Sequence, residues 1–230
     1  MKELFQPFLL PVLMVLAALL LLWIFVRKVR KAIAKLHKTK YLQEVGKRGE
    51  ETLTAQFEAL GGYRRIITNA YIPTSRSTTE LDLIMLHHSG VYVVEFKSYS
   101  GWIYGGEEDR YWLQTFPNGD KMNFYNPIMQ NEGHIASLMK FLGRDDRENF
   151  HSIILFSDRC TFKDVRCRHT DAYLIHNREL KKTLRRAGRR TKYALNRREI
   201  RAIYQEILPC TKVSRQVKKE HLRTVKKKKR

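Results

Sequence analysis

The chain has 230 residues and a formal net charge of +21. Its length allows one domain with a proper core plus appendages, and its three cysteines are too few and too widely spaced for a disulfide framework. The charge is uneven, because residues 1–40 carry +7, residues 41–150 carry −4 and residues 151–230 carry +18. The two basic regions predict contact with a polyanion, either nucleic acid or an anionic membrane surface.

The first predicted element is an apolar segment. Residues 8–26 contain no charged side chain, and a helix of this length spans about 28 Å, close to the thickness of the hydrocarbon core. The run is too long for a signal peptide and is followed directly by a basic stretch rather than a small-residue cleavage site. We therefore predict a transmembrane anchor over residues 1–27, with residues 5–26 in the membrane. The excess of Lys and Arg after it predicts a single-pass protein whose C-terminal domain is cytoplasmic.

A basic juxtamembrane linker, residues 28–45, leads into an α/β domain whose core is predicted over residues 46–150. Residues 151–210 form the C-terminal part of that domain and contain basic helices, and residues 211–230 read as a basic disordered tail. Strands that alternate with helices indicate an α/β sheet. The predicted elements are, in order, a helix over 46–60, a strand over 63–72, a hairpin over 80–97, short strands around Trp102 and Trp112, a helix over 126–142, strands over 150–156 and 172–175, and helices over 178–190 and 197–208.

The hairpin carries the most informative residues. Two apolar runs flank the turn-like residues 87–90, so Leu86 is expected to pair with Val91. Counting back from that pair, Asp82 faces Glu95, and directly opposed carboxylates about 5 Å apart repel each other. A divalent cation held between them would remove the repulsion, because Mg²⁺ takes carboxylate oxygens. Side chains alternate along a strand, so Lys97 shares the face of Glu95 and could hold an anion or activate a nucleophile.

An Asp followed by Glu-x-Lys on the next strand resembles the active-site pattern of the PD-(D/E)xK nuclease superfamily. The flanking residues resemble one of its members, the nuclease-related domain called NERD. The matching segments are residues 46–50, 79–82, 90–103 and 126–131, and they occur in the family's order. One departure is Phe96-Lys97-Ser98, where the family more often has an aliphatic residue and, after the Lys, an Asn. Phe96 would point away from the face that carries the site.

The resemblance implies a fold and a role for each matching residue. The fold would be a restriction-endonuclease-like core, a mixed central sheet flanked by helices, preceded here by one transmembrane helix. Glu50, on an early helix, would orient a metal or its waters, and Asp82 and Glu95 would be the direct ligands of Mg²⁺ or Mn²⁺. Lys97 would position the attacking water or stabilise charge on the phosphate. Gln130, on the next helix, would help to build the site. Its neighbour His134 lies four residues further along the same face, where it is expected to be a polar neighbour or core contact rather than a ligand.

A second metal possibility involves Cys160, Cys167 and His169. Structural zinc sites usually have closer cysteine pairs and four ligands. Ordinary reduced cysteines in a cytosolic domain are therefore favoured.

The sequence predicts a membrane-anchored, magnesium-dependent nuclease that hydrolyses nucleic-acid phosphodiester bonds at the cytosolic face, with DNA favoured over RNA. Phosphate contacts made by the basic C-terminal third would carry little sequence preference. The alternative is a non-catalytic module that binds nucleic acid or protein at the membrane. A third hypothesis places the basic segments on anionic lipid. Endonuclease or exonuclease action, one metal or two, and the oligomeric state stay open.

Overall fold

The computed structural model describes residues 20, 23, 28, 56–57, 62–75, 77–168, 170–190 and 194–228. The chain divides into two compact units, Met1–Glu51 and Thr52–Arg230, and the elements below belong to the second. Apart from Leu20 and Trp23, the predicted membrane segment lies outside the described residues. Within the described part of the chain, no helix is both long and apolar enough to cross a membrane.

Among the described residues of the second unit, six strands follow one another before the helix Pro127–Phe141, and three more strands come after it. The strands are β1 (Arg64–Pro73), β2 (Thr78–His87), β3 (Gly90–Lys97), β4 (Gly101–Gly106), β5 (Tyr111–Thr115), β6 (Lys121–Tyr125), β7 (Phe150–Phe156), β8 (Cys160–Arg166) and β9 (Tyr173–His176). The helices are α1 (Pro127–Phe141), α2 (Leu180–Arg190), α3 (Arg197–Ile207) and α4 (Arg215–Lys228), and 3-10 turns cover Arg147–Asn149, Asn177–Glu179 and Leu208–Thr211.

The larger sheet has the strand order β1-β2-β3-β7-β9. Strand β2 pairs antiparallel with both β1 and β3, whereas β7 pairs in parallel with β3 and with β9. The connection from β3 to β7 contains strands β4, β5 and β6 and helix α1, and a parallel crossover requires a long connection of this kind. The predicted mixed sheet flanked by helices is therefore confirmed.

Helices cover both faces of this sheet. Helix α1 places Ile135 and Leu138, and helix α3 places Ile200 and Ile203, in the core that covers one face. Helix α2 packs Leu180 and other apolar residues into the core on the opposite face. Burial on both faces explains why β2 and β3 read as nearly continuous apolar runs rather than as alternating ones.

A smaller sheet has the order β6-β5-β4-β8 and is built around Trp112. The Trp112 ring is fully buried, and its indole N–H donates to the Gly106 carbonyl oxygen at 2.8 Å. A Cβ on Gly105 would lie 2.3 Å from this ring, so only glycine fits there. Trp112 is therefore a core residue.

The C-terminal segment differs from its prediction as a disordered tail, because Arg215–Lys228 form helix α4. Val217 and Thr224 are half-buried and His221 is buried, so one stripe of the helix contacts the domain. The His221 Nδ1 atom lies 2.9 Å from the Thr78 carbonyl oxygen at the start of β2. The Arg215, Lys218, Lys219 and Arg223 side chains of the same helix are exposed.

Candidate active site

The hairpin of β2 and β3 has the predicted register. Leu86 pairs with Val91, and the ladder continues to Leu83 opposite Val94. The turn ends at Gly90, which has a φ of +132° and would bring a Cβ within 2.5 Å of the Asn149 carbonyl oxygen. Glycine therefore fixes the tight turn that sets the register of the two strands.

Asp82 lies one residue beyond the last ladder pair, where the extended register places it opposite Glu95. Its Oδ2 atom accepts a hydrogen bond from the Phe96 backbone N–H at 2.8 Å. The Asp82 side chain thus replaces a backbone carbonyl at the open end of the hairpin. No described residue donates a hydrogen bond to Oδ1, so this oxygen keeps its capacity to bind another group.

Glu95 lies at the centre of the site and is only 4% exposed. Its Oε1 atom accepts hydrogen bonds from Lys97 Nζ at 2.6 Å and from Gln130 Nε2 at 2.8 Å. Lys97 Nζ also donates to Gln130 Oε1 at 2.9 Å. Three of the predicted site residues therefore form one hydrogen-bonded group on a single face of β3.

Helix α1 brings Gln130 to this group because its N-terminus is firmly held. Asn126 Oδ1 accepts from the Ile128 N–H at 2.9 Å, and Pro127 occupies the first turn, where its missing N–H has no cost. The buried Asn126 Nδ2 donates to carbonyl oxygens of the β4–β5 connection, Glu107 at 2.9 Å and Asp109 at 2.8 Å. The cap therefore ties α1 to the smaller sheet.

A second asparagine holds the helix against the larger sheet. The buried Asn131 donates through Nδ2 to the Val93 carbonyl oxygen at 3.0 Å and to Ser152 Oγ at 2.9 Å. Val93 and Ser152 are paired residues of β3 and β7. This contact fixes the rotation of α1, so that Gln130 faces Glu95.

His134 belongs to the site, although the sequence analysis assigns it no role there. Its Nε2 atom lies 3.3 Å from Glu95 Oε2, and its Nδ1 atom lies 2.8 Å from Thr79 Oγ1. The available signal was the spacing of four residues from Gln130, which predicted a shared helix face. The contact to Glu95 depends on how α1 docks, and the sequence pattern does not contain that information.

The two carboxylates have opposite electrostatic environments. Burial and the nearby charge of Glu95 raise the pKa of Asp82 to about 8, against the opposing effects of the Phe96 N–H and Lys97. Burial would also raise the pKa of Glu95, but Lys97 and His134 lower it to about 2. Burial alone would lower the pKa of Lys97, but the charge of Glu95 raises it. Glu95 and Lys97 are thus a buried ion pair, whereas Asp82 is a carboxylate that lacks its own cation.

The donor set fits a hard divalent cation. Carboxylate oxygens of Asp82 and Glu95 are the ligands that Mg²⁺ prefers, and Mg²⁺ commonly takes one or two carboxylates and several waters. A cation beside Asp82 would supply the positive charge that this buried group lacks. In the described ranges, no three His, Cys, Asp or Glu side chains are grouped to hold a metal. Glu50, the third predicted ligand, lies outside the described residues.

A second polar cluster adjoins the site at the start of β2. Tyr71 Oη donates to Glu80 Oε1 at 2.6 Å, and the Tyr71 ring lies edge-on against His221 of helix α4. Burial and the hydrogen bond to Glu80 raise the pKa of Tyr71, and the charge of Asp82 adds to the effect. Helix α4 therefore reaches the neighbourhood of the two carboxylates.

The structure describes two of the three alternative zinc ligands, Cys160 and Cys167. Burial raises the pKa of both the Cys160 and Cys167 thiols to about 11. The Cys160 Sγ–H donates to the Ser157 carbonyl oxygen at 3.3 Å. His169 lies outside the described residues.

Comparison with known proteins agrees with the resemblance seen in the sequence. An uncharacterized protein of Bacillus anthracis is 26% identical over 193 residues, covering 84% of this chain and 87% of that protein. No solved structure matches the chain. The family model of NERD, the nuclease-related domain, matches residues 45–157, an interval that contains Asp82, Glu95, Lys97 and Gln130. The chain therefore carries a nuclease-related domain over residues 45–157.

Proposed function

We propose that this chain is a metal-dependent nuclease that hydrolyses nucleic-acid phosphodiester bonds, with DNA as the favoured substrate. The observation that carries the proposal is the group formed by Asp82, Glu95, Lys97 and Gln130 at the open end of one hairpin. All four lie in the nuclease-related domain.

Each side chain has a role that follows from its contacts. Asp82 and Glu95 would hold Mg²⁺ or Mn²⁺, with Glu50 contributing as the resemblance implies. When bound, such an ion lowers the pKa of water and neutralises phosphoryl oxygens. Lys97 carries a fixed positive charge beside Glu95 and would orient the attacking water or stabilise charge that develops on the phosphate. Gln130 keeps the Lys97 amine and the Glu95 carboxylate in fixed positions.

A non-catalytic binding module is the second candidate. The observation that favours it is that Glu95 already has three partners, Lys97, Gln130 and His134. Such a module would bind DNA without cleaving it.

Cleavage of DNA separates these two candidates. The full chain, purified in a neutral detergent, is incubated with linear and circular duplex DNA and with RNA in the presence of Mg²⁺ or Mn²⁺. The nuclease proposal expects cleavage that EDTA, Asp82→Asn and Lys97→Met each abolish. The control is Asp164→Asn, which removes an exposed carboxylate of β8 and should leave cleavage unchanged. Activity that survives Asp82→Asn contradicts the assignment of the site, and binding without any cleavage supports the second candidate.

We also propose that residues 5–26 anchor the chain in a membrane with its C-terminal domain in the cytoplasm. The support is the uncharged apolar run over 8–26 and the basic residues that follow it. The full chain should stay in the membrane pellet after carbonate extraction at high pH, whereas an anchor is contradicted if the chain moves to the supernatant. Protease added outside intact cells should leave the domain uncut.

A further inference from the structure

We propose that arginines gathered around Tyr63 form a docking surface for the phosphate backbone of nucleic acid. This surface, called the Tyr63 cluster below, consists of Tyr63, Arg65, Arg197, Arg201 and Tyr204. The inference deepens the proposed function, since it assumes that the same nucleic acid reaches the carboxylates. It assigns the contact to particular residues instead of to the basic C-terminal third as a whole.

Three guanidinium groups converge on one aromatic ring. The Arg65, Arg197 and Arg201 groups lie 5.2, 5.4 and 6.0 Å from the centre of the Tyr63 ring. Arg201 Nε also donates to Tyr63 Oη at 3.1 Å, and Arg65 lies 5.8 Å from the Tyr204 ring. All three arginines are exposed, whereas the two tyrosines are half-buried. The cluster is therefore a positively charged surface with an aromatic base.

The positive charges of the cluster are not neutralised by the described part of the chain. Arg65, Arg197 and Arg201 form no ion pair with any described carboxylate. The acid on the same stretch of α3, Glu199, accepts the Asn196 backbone N–H at 2.7 Å as part of a capping box. Contacts with a ring offset only about 0.5–1 kcal/mol per cation at an exposed site. A phosphate group would relieve the mutual repulsion of the three arginines.

The backbone beneath the cluster is held by hydrogen bonds. Residues 194 and 195 both donate their backbone N–H groups to the His88 carbonyl oxygen, at 2.9 and 3.1 Å. This contact joins the start of α3 to the β2–β3 turn. Arg65 is fixed by its pairing with Leu86 in the sheet. The arginines therefore extend from a preformed surface, which reduces the entropy lost on binding.

The Tyr63 cluster lies on the same side of the sheet as the candidate active site. Tyr63 packs against the core that contains Val93, and side-chain alternation places Glu95 on the Val93 face. Along β2, Leu86 opposite Arg65 is four residues from Asp82, or about 13 Å. Phosphates of one duplex strand are about 3.4 Å apart along the axis, so this separation corresponds to roughly four base pairs. A duplex of ordinary length is therefore long enough to extend from one place to the other.

The chemistry of the cluster favours phosphate over bases. Guanidinium groups bind phosphate through paired N–H donors. The same groups lie within 6.0 Å of the centre of the Tyr63 ring, so a base that stacked on this ring would compete with them. We therefore expect binding that depends steeply on salt and little on sequence.

The test compares two matched double variants of the full chain in neutral detergent. Arg197→Gln/Arg201→Gln alters the cluster, and Arg185→Gln/Arg186→Gln removes the same charge from the exposed side of α2, on the opposite face of the sheet. Binding of a fluorescent 20-base-pair DNA duplex is measured in EDTA across a salt series. The cluster variant should lose roughly tenfold or more in affinity at 0.1 M salt, and its salt slope should fall by about 2. The α2 variant should change by less than about threefold.

Equal loss in the two variants, or no loss in the cluster variant, overturns the proposal. It is also overturned if the cluster variant loses binding to vesicles containing phosphatidylserine and keeps its affinity for DNA. Because EDTA prevents cleavage, the result does not depend on activity. If the chain does not cut DNA but the cluster variant loses DNA affinity as expected, the docking surface is supported and the proposed nuclease activity is contradicted.

Discussion

The Lys97 Nζ atom lies 2.6 Å from Oε1 of Glu95, two residues earlier on strand β3. Glu95 is buried, the Lys97 side chain is only 11% exposed, and each holds the other in its charged form. A buried ion pair contributes little net stability, but removal of one partner leaves an uncompensated charge. The pair therefore makes the site sensitive to single substitutions and keeps a lysine charge next to the carboxylates.

Substitution of Lys97 should destabilise the domain. In Lys97→Met, Glu95 keeps only Gln130 and His134 as partners, and we expect a loss of about 3 kcal/mol in the free energy of unfolding. Urea unfolding of the full chain in detergent measures it. Adding Glu95→Gln removes the buried charge and should restore much of the loss. A single variant as stable as the unsubstituted chain would show that the pair does not control the charge of Glu95.

Substitution of Asp82 should have the opposite effect on stability. The folded-state pKa of Asp82 is raised from 3.8 to about 8. The contribution of Asp82 to the free energy of unfolding is therefore fully present below about pH 4 and is lost as the pH rises toward 8. In EDTA, Asp82→Asn keeps an acceptor for the Phe96 N–H and avoids this loss. We expect the variant to be more stable at pH 8 by at least about 1.4 kcal/mol, the value of one pKa unit, with no difference near pH 4. If Asp82→Asn is less stable than the unsubstituted chain at pH 8, the raised folded-state pKa of Asp82 is contradicted.

Substitution of His134 should weaken metal binding, and a loss of fold stability alone should not explain the weaker binding. It contacts Glu95 and Thr79, and partners that orient metal ligands commonly change metal affinity by about 10–100-fold. His134→Ala should weaken Mn²⁺ binding within that range. The control is Ser137→Ala on the same helix, whose hydroxyl bonds only to the Gly133 carbonyl oxygen among the described groups. Equal Mn²⁺ affinities in the two variants would exclude a role for His134.

The N-cap of α1 should be worth more than an ordinary cap. Asn126 is buried and also donates to the β4–β5 connection, whereas Asn196 caps α3 from an exposed position. We expect Asn126→Ala to cost about 2–4 kcal/mol, because carbonyls lose their donor in the core, and Asn196→Ala to cost about 1 kcal/mol. Urea unfolding measures the free energy of unfolding of both variants and of the unsubstituted chain. Equal costs would mean that the contacts with the smaller sheet contribute nothing.

The sequence predicts the centre of the site well because a hairpin transmits register over a short distance. Once the loop is assigned to residues 87–90, the Leu86–Val91 pair and the position of Asp82 near Glu95 follow. Gln130 was found through the family resemblance, and the structure adds its contacts to Glu95 and Lys97. These inferences depend on local spacing and short motifs.

Two other features depend on long-range packing. The contact of His134 with Glu95 requires the rotation of α1 that Asn126 and Asn131 set through distant partners. Helix α4 was predicted as a disordered tail because its charge dominates its composition. Its buried stripe is defined only when His221 meets Thr78 and Tyr71.

The central claim is that Asp82 and Glu95 hold a divalent cation. Electron paramagnetic resonance of free Mn²⁺, titrated with the full chain in detergent, counts bound ions directly. We predict saturable binding by the unsubstituted chain and by Asp164→Asn, and loss of that binding in both Asp82→Asn and Glu95→Gln. Equal Mn²⁺ affinity in Asp82→Asn and in the unsubstituted chain would contradict the claim.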